Sequence, residues 1–135
     1  MAITTGTAAT AANFNAAFAD KTAENYNVLI VGNSTTGTTL VAATALTVSA
    51  TKYNQITYVA AASAITVSAN PQIQAGSLEG QILEIIGTND TNTITYSDGN
   101  GLKLNGPITL AKWSTLCLRW DATGLVWRER YRNDL

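Results

Sequence analysis

Ala45-Leu46-Thr47-Val48-Ser49-Ala50 recurs nineteen residues later as Ala64-Ile65-Thr66-Val67-Ser68-Ala69, with a weaker copy at Asn92-Thr93-Ile94-Thr95-Tyr96-Ser97. In each copy an aliphatic or aromatic residue alternates with Thr or Ser, the period-two pattern of a half-buried strand. Two good copies and one poor one fall short of a solenoid array, and convergent strand composition explains them equally well. The same alternation spreads outward from them. Ile56 and Tyr58 alternate with Gln55 and Thr57, and Leu116, Leu118 and Trp120 with Thr115, Cys117 and Arg119. β-Branched residues fill both faces, and Gly, Asn, Asp and Pro mark the breaks. From Val28 onward, six to nine short strands at roughly ten-residue spacing predict a mainly β domain. The expected form is an antiparallel sandwich or barrel-like domain, jelly-roll or tulip-like, over residues 28–135.

The stretch Gln81–Ile86 departs from simple alternation. Leu83 and Ile85 point one way, while Ile82 and Ile86 flank Glu84 on the other. A strand apolar on both faces is covered on both, either between layers or by a neighbouring subunit. Glu84 in that setting needs a partner, and one of the C-terminal arginines is a candidate.

Upstream the period changes. Met1–Thr10 is small and Thr/Ala-rich and reads as an exposed arm. In Ala11–Tyr26, Phe14 and Phe18 stand four apart with Ala11 and Ala17 alongside, which predicts a short helix with one apolar stripe. That helix either packs on its own domain or docks through Phe14 and Phe18 onto another subunit. Residues 1–27 are therefore assigned as arm and helix.

Composition narrows the function classes. A chain of 135 residues fits one domain. Its charged fraction is 13%, against about 25% in ordinary soluble domains. The polar faces of the strands carry Thr, Ser and Asn where Lys and Glu would protect sheet edges. Both observations predict a surface covered by partners, and so an oligomer. A net charge of −1 supplies no attraction for nucleic acid or an acidic membrane. Met1-Ala2-Ile3-Thr4-Thr5 lacks the basic start and apolar core of a signal peptide. The longest apolar runs, Val28–Val31 and Tyr58–Ala62, fall far below the ~18 residues of a membrane helix.

Catalytic chemistry finds few footholds. There is no histidine, which removes Ser-His-Asp and Cys-His systems and imidazole metal ligands together. Cys117, the one cysteine, sits mid-strand with no second cysteine and reads as a packed thiol. The acids are scattered singly. Ser97-Asp98-Gly99-Asn100-Gly101 could offer oxygens to Ca²⁺ but lacks the carboxylate density of a dedicated site, so a turn is expected. No catalytic residue, cofactor or metal is predicted, and a glycan-degrading enzyme is the least favoured class.

Contact residues are a different matter. Trp113, Trp120 and Trp127 recur every seven residues. Trp120 shares a face with Leu116 and Leu118 and belongs to the core, whereas Trp113 falls at a strand entry and is the best contact candidate. Arg128, Arg130 and Arg132 alternate with Trp127, Glu129 and Tyr131, so a strand there would show one basic face, either solvated or turned to an acidic protein partner.

One longer pattern is familiar. Gln74-Ala75-Gly76-Ser77-Leu78-Glu79-Gly80-Gln81 leads into Leu83-Glu84-Ile85-Ile86-Gly87-Thr88-Asn89-Asp90. Gly101-Leu102-Lys103-Leu104-Asn105-Gly106, Thr109-Leu110, Leu116-Cys117-Leu118-Arg119-Trp120 and Trp127-Arg128-Glu129 follow, then Arg132. This resembles a β-rich module of tailed-phage virion proteins, among them head decoration or cement proteins and fibre tips. Phe14-Asn15-Ala16-Ala17-Phe18-Ala19-Asp20-Lys21-Thr22 looks like the attachment segment before such modules. The resemblance implies a homotrimer on the outer surface of the capsid, bound to the major capsid protein through the arm with Phe14 and Phe18. A fibre or spike-tip adhesin that binds a host glycan through Trp113 is the alternative it implies.

Overall fold

The computed structural model describes residues 28–135, and every regular element in them is a β-strand. Three strands set the architecture. β1 (Val28–Val31), β3 (Asn54–Ala61) and β5 (Ile82–Gly87) lie side by side and all run parallel. Val28 faces Asn54 and Asn54 faces Ile82, so one turn of chain consumes 26 and then 28 residues. β2 (Thr38–Leu40) continues along the edge of β3 that β1 occupies, with Thr38 opposite Val59.

The return legs stack too. β4 (Ile65–Thr66) lies parallel to β6 (Ile94–Tyr96), with Ile65 opposite Ile94. On a third side Leu46 bridges Ile73 in parallel; its N–H donates to the Gln72 carbonyl at 3.1 Å, and its own carbonyl accepts from the Gln74 N–H at 2.9 Å. Successive coils therefore rest on one another along three walls, a β-solenoid-like stack.

The winding then stops. β8 (Ile108–Leu110) runs antiparallel to β6, β9 (Thr115–Asp121) antiparallel to β5, and β10 (Val126–Asn133) antiparallel to β9. β7 (Leu102–Lys103) completes the sheet by pairing in parallel with β10. The result is a seven-stranded sheet facing a three-stranded one.

The mainly β expectation holds, but this stacking takes the place of the antiparallel sandwich or barrel. The reason lies in the connections. Alternation reports which face a residue takes, not which strand it pairs with. The segments between β1 and β3 and between β3 and β5 are long enough for the crossovers that parallel strands need. The repeated hexapeptides carried that information. Ile65 and Thr66 of the second copy pair in register with Ile94 and Thr95 of the weak third one. The helix over Ala11–Tyr26, with Phe14 and Phe18, lies outside the described residues.

One contiguous core fills the space between the sheets, from Leu40 and Leu46 through Ile73, Leu83 and Ile94 to Leu118 and Trp127. Trp120 and Trp127 meet across the β9–β10 pair with centroids 5.3 Å apart and planes tilted by 58°, a favoured aromatic geometry. Trp127 also donates its indole N–H to the Gln74 carbonyl at 2.8 Å. Gly76 runs against the face of Trp120 so closely that a Cβ there would overlap the indole.

β3 inverts the expected faces. Gln55 and Thr57 are buried with Val59 and Ala61, while Ile56 and Tyr58 look outward. The polar pair is accommodated because every group finds a partner. Gln55 accepts the Ser49 N–H at 2.7 Å and donates to the Thr47 carbonyl at 3.1 Å and to Thr57 Oγ1 at 2.8 Å. Gln72 serves another corner, donating to the carbonyls of Ser97 and Gly99 at 2.7 and 2.9 Å and accepting from the Ser97 N–H. Gln81 ties Ser49 to Ser77 in the same way. These buried glutamines supply hydrogen bonds to bends where no ladder reaches.

Candidate assembly surface

The inversion of β3 has a counterpart outside. Register places Val28, Asn54, Ile82, Arg119 and Arg128 in one row across the large sheet. The next outward row holds Ile30, Ile56, Glu84, Cys117 and Tyr131, and a third begins with Tyr58 and Ile86. The side of the face nearest β1 is thus apolar. Val28 is 45% exposed and Ile30 62%, and Tyr53 is exposed beside them. Ile56, Tyr58, Ile82 and Ile86 are partly exposed. Among the described residues nothing covers this face, so the two-sided apolar character of Gln81–Ile86 is not satisfied by an inner layer.

Charge is distributed just as unevenly. Between Glu24 and Glu79 the only charged side chain is Lys52. The charges gather in the later strands, where they pair locally: Arg119 with Glu79, Arg128 with Asp121, and Arg132 with Glu129. Glu84 makes no ion pair with an arginine among the described residues, so the pairing expected from sequence is not made there.

The three C-terminal arginines do not form one basic face. A bulge between Glu129 and Tyr131 resets the alternation of β10, leaving Arg130 as the extra residue. Arg128 and Tyr131 consequently share the outward side, while Arg132 falls on the side of Glu129. Arg132 grips that carboxylate through Nε and Nη2, both at 2.7 Å, and also donates to the Gly106 and Pro107 carbonyls. The bidentate guanidinium holds the Glu129 carboxyl below the usual range and raises the Arg132 guanidinium in turn. Arg132 is a clamp on the loop before β8, and Arg128 and Arg130 are the two that remain exposed.

Cys117 is buried on the outer row, as the packed-thiol expectation had it. Burial raises its thiol pKa, against the lowering effect of Tyr131 beside it. Trp120 is core, also as expected.

Trp113 is 49% exposed and sits at φ +69°, in a turn closed by the Ser114 N–H to the Ala111 carbonyl at 3.2 Å. That position favours glycine, so an exposed tryptophan there carries a backbone cost of order 1–3 kcal/mol. The turn is held regardless. The Trp113 N–H donates to the Gly87 carbonyl at 2.9 Å, and Gly87 approaches Ala111 too closely for any Cβ. Lys112 Nζ lies 5.8 Å from the ring centroid.

No family model, curated protein or solved structure matches the chain. The site must accordingly be read from its own geometry. No group of three His, Cys, Asp or Glu that could hold a metal occurs among the described residues. The Asp98 carboxylate is engaged by the Leu104 N–H at 2.7 Å, which makes its loop the expected turn. Two features stand out on the surface: the apolar outward face beside β1, and Trp113 on its fixed turn. Sequence reasoning reached Trp113 through its place at a strand entry. It missed the apolar face because Ile56 and Tyr58 had been assigned inward, and the only available signal was Ile82 and Ile86 around Glu84.

Proposed function

We propose that this chain is a non-enzymatic structural protein of a tailed-phage virion, a homotrimer that cements or decorates the outer surface of the head. The observation that carries it is the outward face of the large sheet, where Val28, Ile30, Ile56, Tyr58, Ile82 and Ile86 lie together without a covering layer. Apolar patches of this kind mark association sites, and removing one from water is a favourable contribution to binding. The scarcity of charge before Glu79 and the resemblance of residues 74–132 to virion modules point the same way.

A cement protein works by mass action. Bound to the assembled shell alone, it stabilises that state according to its occupancy. Repeated contacts with the major capsid protein suffice, and no catalytic group is needed. Light scattering on the purified protein should give three times the chain mass. Ile82→Glu on the outward face should give a folded monomer with unchanged circular dichroism. A wild-type protein that is monomeric at all concentrations would remove the assembly reading.

A fibre or spike-tip adhesin is the second reading, favoured by Trp113 alone. An exposed indole held on a strained turn beside Lys112 could stack on a sugar ring. Binding to a glycan array that is lost in Trp113→Ala would select it over cement.

A further inference from the structure

The stack of coils has two unlike ends. At the late end β9 and β10 cover β5 in antiparallel register. At the early end β1 and β2 form the sheet edge and have no strand on their outer side among the described residues. Here the core also comes to the surface. A cavity of about 160 Å³ opens between Val31, Leu40, Val41, Ala45, Leu46 and Thr57, and its walls are mainly apolar. Solenoid stacks need their terminal coils covered.

We propose that residues 1–27 of the same chain close this end, with a phenylalanine ring, Phe14 or Phe18, seated in the cavity. Several observations favour this occupant. Twenty-seven residues precede β1, enough for one further coil at the observed 26- to 28-residue spacing. They enter at Val28, on the open edge itself, so the tether gives them a high effective concentration there. The cavity has the size of one that accepts a benzene ring, about 150 Å³. Phe14 and Phe18 are the only phenylalanines of the chain. Charge agrees as well: the first nineteen residues carry no charged side chain, and neither do residues 25–51. This closure is independent of the trimer, since the apolar sheet face and the open coil end are different surfaces.

Hydrogen exchange on the full-length protein tests it. In the wild type, amides of residues 28–48 should be protected to the same degree at high and hundredfold lower protein concentration. The double variant Phe14→Ser/Phe18→Ser should exchange at least tenfold faster over residues 28–48, with β5 and β9 unchanged. Equal exchange in wild type and variant would overturn the proposal. Protection that fades on dilution would overturn it differently, by assigning the cavity to the segment of a second copy. Light scattering on the same samples keeps this result separate from the fate of the trimer.

Discussion

Gln72 joins three backbone groups of Ser97 and Gly99 that the ladders leave unpaired. Replacing it with Leu keeps the volume but orphans those groups, each costing about 1–3 kcal/mol when buried. We expect Gln72→Leu to lose about 2–4 kcal/mol by urea denaturation, more than any exposed Thr→Ala change on the coils. Nothing in the sequence marks such a residue, because a glutamine bonded to backbone and a glutamine in water look alike in an alternating pattern. Glu129 is more legible, three positions before Arg132 on a strand, although only the bulge brings the two to one side. Its carboxyl pKa is lowered in the folded protein, so the associated stability is present at neutral pH. It fades as pH falls from the ordinary carboxylate value, about 4.3, through the lowered one. Glu129→Gln should flatten that part of the acid limb when thermal midpoints are followed from pH 6 downward.

Among the elements, β5 and β9 were the easiest to foresee and β3 the most misleading. Leu83 and Ile85 against Leu116 and Leu118 give core and face at once, and the structure pairs them antiparallel in the expected alternation. β3 has Ile and Tyr where the outside is and Gln and Thr where the inside is, so hydropathy chose the wrong face. Tertiary hydrogen bonds overrode the pattern, and those came from Thr47 and Ser49, outside the strand. Close approach between elements was equally hidden. Gly76 reads as a turn residue, yet it is the floor under Trp120. A methyl group there must displace the indole, so Gly76→Ala should cost about 1–3 kcal/mol. It should also shift the tryptophan emission toward the red, and an unchanged melting midpoint would count against this packing.

At the scale of the molecule, the number of strands and the absence of a catalytic constellation could be read from the chain, while the winding could not. The hexapeptide echo was visible, but its two best copies are not the pair that stacks. Coil lengths of 26 and 28 residues keep no fixed sequence period, because Gly32–Gly37 loops out between β1 and β2. The polarity of the molecule follows from this layout. Uncharged coils with an apolar outer face lie toward the beginning, and ion-paired antiparallel strands lie toward the end. Lys placed on the outward face, as in Ile56→Lys, should weaken self-association at least tenfold in sedimentation equilibrium. Arg128→Ala, on the charged side, should leave association unchanged.

The strand order also decides how the protein bears a mechanical load. β10 is laced on one side to β9 and on the other to β7, so a pull on the C-terminus strains two ladders in shear together. β1 is joined only to β3, along four residue pairs at the margin of the sheet. Tension entering there would open the coils one after another like a zipper. An anchor near residue 28 would yield gradually and absorb work, whereas an anchor near residue 133 would hold firm until it fails at once.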